Sequence, residues 1–226
     1  MSNPALLAVA HGSRNPAAAD VVRKLATQIG RMAPVLDVRV AFLGHAEPSL
    51  RSEVDAAGAG AVIVPLLLST GFHLSADIAD AASSAGAHVA APLGPDQLLL
   101  TALTFRLAEA GVPAGTPVVL AAAGSSDLAA MTDVGEQAGL LAAHLEVPVL
   151  AAYLSAARPT VPEAVDRLRE QTGGPVAVAS YLLAPGYFQD QLAGSGADWV
   201  TAPLGGHPAV AGLVIDRYRA AAKAAR

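Results

Sequence analysis

Along this chain, uninterrupted apolar runs of strand length alternate with stretches whose apolar positions recur at helical spacing. The first run, Leu6 to Ala10, carries no polar residue, the pattern of a parallel strand covered on both faces. Pro16 suits the first turn of a helix, and Val21, Val22, Leu25, Ile29 and Met32 give that helix an apolar stripe that ends at Pro34. The alternation continues with a strand over Val35–Leu43, a short helix from Pro48 through Val54 to Gly58, and a strand over Ala61–Leu68. A helix over His73–Ala85, a short strand over Ala87–Ala91 and a helix over Pro95–Ala110 complete the series. Four βα units in succession predict a parallel sheet with right-handed crossovers.

Gly111 to Pro117 is rich in Gly and Pro, has no period and reads as a linker. The pattern then starts again. Strands are predicted over Val118–Ala123, Val147–Leu154, Val176–Leu183 and Trp199–Ala202. Helices are predicted over about 128–145 and 160–170, from Tyr187 onward, and from Pro208 to about Ala222. Residues repeat as well as elements. Ala91-Pro92-Leu93-Gly94 returns as Ala202-Pro203-Leu204-Gly205, and Ala41-Phe42-Leu43 with Pro48 returns as Ala152-Tyr153-Leu154 with Pro159. A period this long marks duplication of a whole domain. The expected fold is therefore α/β: two similar αβα halves, each with a four-stranded parallel sheet, and a cleft between them. The expected division is residues 1–113 and 114–226.

Composition narrows the function. Hydrophobic residues make up 53% of the 226 and charged residues 15%, so much of the chain is buried; at 4% aromatic, its core is mainly Ala, Val and Leu. A net charge of −5 argues against a nucleic-acid partner. The absence of cysteine excludes disulfides and thiolate metal sites. No basic region precedes the first apolar run, and no run approaches the roughly 20 residues of a membrane span. These features predict a soluble cytoplasmic protein with no membrane partner.

The chemistry concentrates at strand ends. His11 closes the first strand in Ala10-His11-Gly12-Ser13-Arg14, and His73 closes the stretch Val62 to His73. Ligands of open α/β sheets bind outside the carboxyl ends of strands, and neutral imidazole is a common ligand for divalent transition metals. In the second half Ala123 takes the place of His11 and Phe188 that of His73. The fold is thus repeated without its imidazoles. His45 and Glu47 follow the second strand at the same sheet end, either facing the site or serving as loop residues before Pro48. Asp77 lies four residues after His73 and Asp80 seven after it; Asp77 reads either as a group on the same helix face or as a solvated acid in the first turn. His88, His144 and His207 read as structural or surface residues. Gly12-Ser13 and Gly124-Ser125-Ser126 are weak anion-binding patterns. Neither a Walker A lysine nor a G-x-G-x-x-G fingerprint is present. A nucleophile pair of Ser13 with His11 is a third option that nothing favours.

Taken together, Ala10-His11-Gly12-Ser13-Arg14, Ala41-Phe42-Leu43 with Ala46-Glu47-Pro48-Ser49, and Pro65-Leu66-Leu67-Leu68 with Gly71-Phe72-His73 and Asp77-Ile78 resemble the sirohydrochlorin chelatases of the CbiX and SirB type. The resemblance spans both halves, with the functional motifs in the first. It implies insertion of Co2+, Fe2+ or Ni2+ into sirohydrochlorin or a related tetrapyrrole, with the metal as substrate and no organic cofactor. His11 and His73 would hold the metal or accept protons from the pyrrole nitrogens as it enters. Ser13, Arg14 and Gly71 would contact the tetrapyrrole, whose carboxylates would meet Arg14 and Arg158. Internal duplication implies a monomer. Members of this family often carry an acidic residue where this chain has Gly44. The rival reading is a tetrapyrrole or metal carrier that kept the fold without turnover.

Overall fold

The computed structural model describes residues 3–70 and 72–225, apart from the side chains of residues 72–76. Its strands are β1 (Leu6–Ala10), β2 (Val38–Phe42), β3 (Val62–Pro65), β4 (His88–Val89), β5 (Val118–Ala122), β6 (Val149–Tyr153), β7 (Ala177–Tyr181) and β8 (Trp199–Val200). Its helices are α1 (Pro16–Met32), α2 (Leu50–Ala57), α3 (Phe72–Ala85), α4 (Gln97–Glu109), α5 (Leu128–Leu145), α6 (Val161–Thr172), α7 (Tyr187–Gln191) and α8 (Pro208–Ala224). A 3-10 turn, Leu192–Gly194, follows α7. The strands form two four-stranded parallel sheets, ordered β2-β1-β3-β4 and β6-β5-β7-β8. Among the described residues, no helix is long and apolar enough to cross a membrane.

The continuous apolar runs become central strands. β1, β3, β5 and β7 are buried along their whole length, which requires helices on both sheet faces. On one face of the first sheet, Leu7, Val9, Ala41 and Ile63 meet Leu50 and Val54 of α2 and Ile78, Ala81 and Ala82 of α3. In the second sheet, Val119, Ala121, Ala152 and Val178 meet Val161, Ala164, Val165 and Leu168 of α6, with Leu192 of the 3-10 turn.

The covering of the other faces departs from the sequence repeats. α8, the last helix of the second repeat, packs on α1, β3 and β4. α4, the last helix of the first repeat, packs on α5 and β7. The compact units are therefore residues up to Leu93 together with those from Gly205 (unit 1), and Gly94–Leu204 (unit 2). The compact units meet at the two Pro-Leu-Gly segments, away from residues 113 and 114, where the sequence repeats are expected to divide. The cause is the burial of Leu99, Leu100, Leu103 and Leu107 in unit 2 and of Val210, Leu213, Val214 and Tyr218 in unit 1.

Strand ends also differ. Val35 is 80% exposed within a turn closed by Leu36 N–H donating to the Ala33 carbonyl at 3.0 Å, so β2 begins only at Val38. β4 and β8 pair with one neighbour each, over two residues. Met32, at the end of the predicted stripe, is 46% exposed.

Candidate active site

In the order β2-β1-β3-β4 the chain leaves β1 toward one edge and returns on its other side. The carboxyl ends of β1 and β3 thus flank a topological switch point, where the connecting loops part and leave a crevice. His11 stands at the first of these ends and is exposed. The second end runs through Leu66 to Thr70 toward α3, whose second residue is His73. Gly71 and the His73 side chain lie outside the described residues.

The loop after β1 is fixed by its own backbone. Leu43 N–H donates to the Ala10 carbonyl and Gly44 N–H to the His11 carbonyl, both at 3.1 Å. Gly12 has φ +89°, and a Cβ there would sit 1.6 Å from the Gly44 carbonyl oxygen. Only glycine permits both that conformation and that approach. Ser13 Oγ accepts from Asn15 N–H at 3.1 Å, and Asn15 Oδ1 accepts from Ala17 N–H at 3.0 Å, capping α1. Arg14 is exposed beside them. His11 is thus carried on a loop stitched to the loop after β2, which also holds His45 and Glu47, both exposed. Arg23 braces that second loop: its guanidinium donates to the Glu47 carbonyl at 3.2 Å and lies 5.9 Å from the centre of the Phe42 ring.

Asp77 and Asp80 are exposed on α3. Among the described residues, no group of three or more His, Asp or Glu is arranged to hold a metal ion. His88 is exposed at the opposite sheet end, His144 is exposed in the last turn of α5, and His207 Nδ1 caps α8 by accepting from Ala209 N–H at 3.1 Å.

The second repeat rebuilds this loop without the imidazole. Gly124 has φ +93°, and its Cβ would sit 1.9 Å from the Ser155 carbonyl oxygen. Ser125 Oγ accepts from Asp127 N–H at 3.0 Å, and Asp127 caps α5 through Ala129 N–H at 2.9 Å. Ala123 occupies the place of His11, and Ser155 Oγ donates to its carbonyl at 2.8 Å. Phe188, in the place of His73, is partly buried against the core of unit 2, while the adjacent Tyr187 is 77% exposed. Arg158 is engaged with Glu163, whose carboxylate also accepts from the Thr160 N–H at 2.8 Å. These Thr160 bonds, and then Arg158, hold the Glu163 carboxyl below the usual range. Burial, reinforced by Asp133 and Asp96, pushes the Tyr181 hydroxyl far above its ordinary value, so it stays neutral.

Nothing in the sequence marks Gly44 as the close partner of Gly12. Arg217, which bonds the Pro92 and Leu93 carbonyls, does carry a signal: it lies 111 residues after Arg106, the same offset as the Pro-Leu-Gly segments.

Comparison with known proteins matches both repeats. The CbiX family model fits residues 5–110 and again 117–221. A sirohydrochlorin ferrochelatase of Bacillus subtilis is 28% identical over 95% of this chain and 90% of its own length, and one of Priestia megaterium is 32% identical over 83% and 76%. A sirohydrochlorin cobaltochelatase of Methanosarcina acetivorans is 30% identical over 46% of this chain but 95% of its own; that relative is about the size of one repeat. Among solved structures, SirB from Bacillus subtilis with Fe3+ superposes with a TM-score of 0.82 at 27% identity, covering 96% of this chain and 95% of SirB.

Proposed function

Since this chain belongs to the CbiX family, matched over both of its repeats, we propose that it is a metal chelatase inserting a divalent ion, Co2+, Fe2+ or Ni2+, into sirohydrochlorin or a closely related tetrapyrrole. The relatives that support the substrate are named sirohydrochlorin ferrochelatase and sirohydrochlorin cobaltochelatase. The observation that carries the assignment of the site is the contrast between repeats. One loop geometry is built twice, at Gly12 and at Gly124, and an imidazole stands beside only the first.

Insertion exchanges one M2+ for two protons of the macrocycle. The ion must be held weakly enough to leave, and a base must take each proton as the nitrogen lone pair turns to the metal. Neutral imidazole does both. In this reading His11 and His73 hold the incoming ion and accept the pyrrole protons. Arg14, exposed beside His11, attracts the substrate carboxylates. Ser13 uses its Oγ lone pair toward Asn15 N–H and keeps its own proton for the substrate, and Gly71 lets the macrocycle approach the chain. The ion is a substrate, no organic cofactor takes part, and one chain with both repeats acts as a monomer.

The test is metal insertion followed by the absorbance change of sirohydrochlorin with Co2+ or Fe2+. Wild type should turn over. His11→Ala and His73→Ala should each lose most of the rate while remaining folded, and the double variant should lose little more, because residues that act as a unit are non-additive. A stable, unmetallated spectrum of bound tetrapyrrole with no turnover would make the protein a carrier instead.

A further inference from the structure

A short path of hydrogen bonds runs from α8 to the segment that leads into His73. Arg217, on α8, donates from Nε to the Pro92 carbonyl at 2.7 Å and from a terminal nitrogen to the Leu93 carbonyl at 3.0 Å. Leu93 N–H then donates to the Leu67 carbonyl at 2.8 Å. Leu67 belongs to the connection between β3 and α3. β4 is only two residues long and pairs with β3 at His88 and Val89, so the chain beyond it has little sheet to hold it. The guanidinium supplies the missing restraint. Its planar fork fixes two successive carbonyls in one orientation, which a lysine cannot do.

Unit 2 contains a related path with one carbonyl bond in place of two. Arg106, on α4, donates to the Leu204 carbonyl at 3.2 Å, and Leu204 N–H donates to the Leu182 carbonyl at 2.9 Å. Leu182 leads into the segment ending at Phe188. The two arginines serve corresponding segments with different bonding: Arg106 holds one carbonyl, pairs with Glu109 and leaves its buried Nε without a partner, and only the path from Arg217 leads toward a histidine.

We propose that Arg217 is a positioning residue for metal capture: through Leu93 and Leu67 it sets the connection that presents His73. This rests on the reading of His73 as a metal ligand. Arg106 is the internal control, because its path ends at a phenylalanine.

The experiment titrates the full-length protein with Co2+ alone, by calorimetry or visible absorption, and measures thermal stability on the same samples. Arg217→Met should weaken Co2+ binding about tenfold, the scale seen when support behind a metal ligand is removed. Arg217→Lys should fall between Met and wild type. Arg106→Met should also lower the melting temperature but leave Co2+ affinity unchanged. If Arg217→Met does not fold, Arg217→Lys against Arg106→Lys carries the same comparison. Equal loss of affinity from both sites, or wild-type affinity in a folded Arg217 variant, would overturn the proposal. Wild-type protein that binds no Co2+, or binds it equally well as His73→Ala, would instead overturn the reading of the site and the proposal with it.

Discussion

Gly12→Ala isolates what the loop after β1 contributes. Two effects combine. At φ +89° an L-residue is strained, by roughly 1–2 kcal/mol. The new Cβ would also lie 1.6 Å from the Gly44 carbonyl oxygen, where real Cβ atoms essentially never come within 3.0 Å. The obstacle is backbone, so the two loops must separate by more than an ångström. That separation breaks the 3.1 Å bond from Gly44 N–H to the His11 carbonyl, about 1 kcal/mol more. A loss on the order of 3 kcal/mol leaves most domains folded, given total stabilities of about 5–15 kcal/mol. The same displacement moves His11, and a misplacement of about 1 Å can slow a positioned reaction about a hundredfold. Gly124→Ala meets the same geometry, with 1.9 Å to the Ser155 oxygen and φ +93°. It should lose comparable stability but keep its metal-insertion rate, since Ala123 carries no imidazole. Denaturant unfolding followed by circular dichroism, with initial rates on the same samples, separates the two effects. Wild-type stability in Gly12→Ala, or an equal rate loss in Gly124→Ala, would refute this account.

Phe188→Ala should reduce stability by about 1–3 kcal/mol, less than the 3–5 kcal/mol of a fully buried Phe, because its ring is only partly buried against the unit 2 core; the Co2+ affinity of the folded protein should not change. Asp198 should make unit 2 sensitive to acid. Val176 N–H and then Arg169 hold its carboxyl below the usual range, so its stabilisation is complete above the ordinary aspartate value of about 3.9 and is lost as pH falls through the lower folded value. Asp198→Asn should therefore be less stable than wild type at pH 7, and the gap should narrow below about pH 4 in thermal melts taken across that range.

The central strands and the position of His11 were legible because a fully apolar run ending in His-Gly has few other meanings in an α/β chain. Strand ends were less so: Val35 has high β propensity, but the turn after Ala33 keeps it in solvent. The destinations of α4 and α8 were not legible at all. An apolar stripe states that a helix is covered, not which sheet covers it. That Phe188 stands in the place of His73 was legible, but its packing on the unit 2 core was not. The ion pair of Arg158 with Glu163, five residues on, had no signal in the sequence beyond their opposite charges. The contact of Gly12 with Gly44 was hidden because two glycines 32 residues apart leave no pattern of their own.

The exchange of α4 and α8 bears on how such a chain could arise and be taken apart. Unit 2 is one uninterrupted segment, whereas unit 1 is split around it. Both junctions carry the same residues, Ala91-Pro92-Leu93-Gly94 and Ala202-Pro203-Leu204-Gly205. Excision of residues 94–204 would join Leu93 to Gly205 and regenerate Ala-Pro-Leu-Gly without a scar. The product would keep β1 to β4 with α1, α2, α3 and α8, hence a sheet with both faces covered and the Arg217 bonds in place. Recombination between the two segments could thus insert or remove a complete unit in a single event, while a cut at the linker near residue 113 would strip each sheet of a helix.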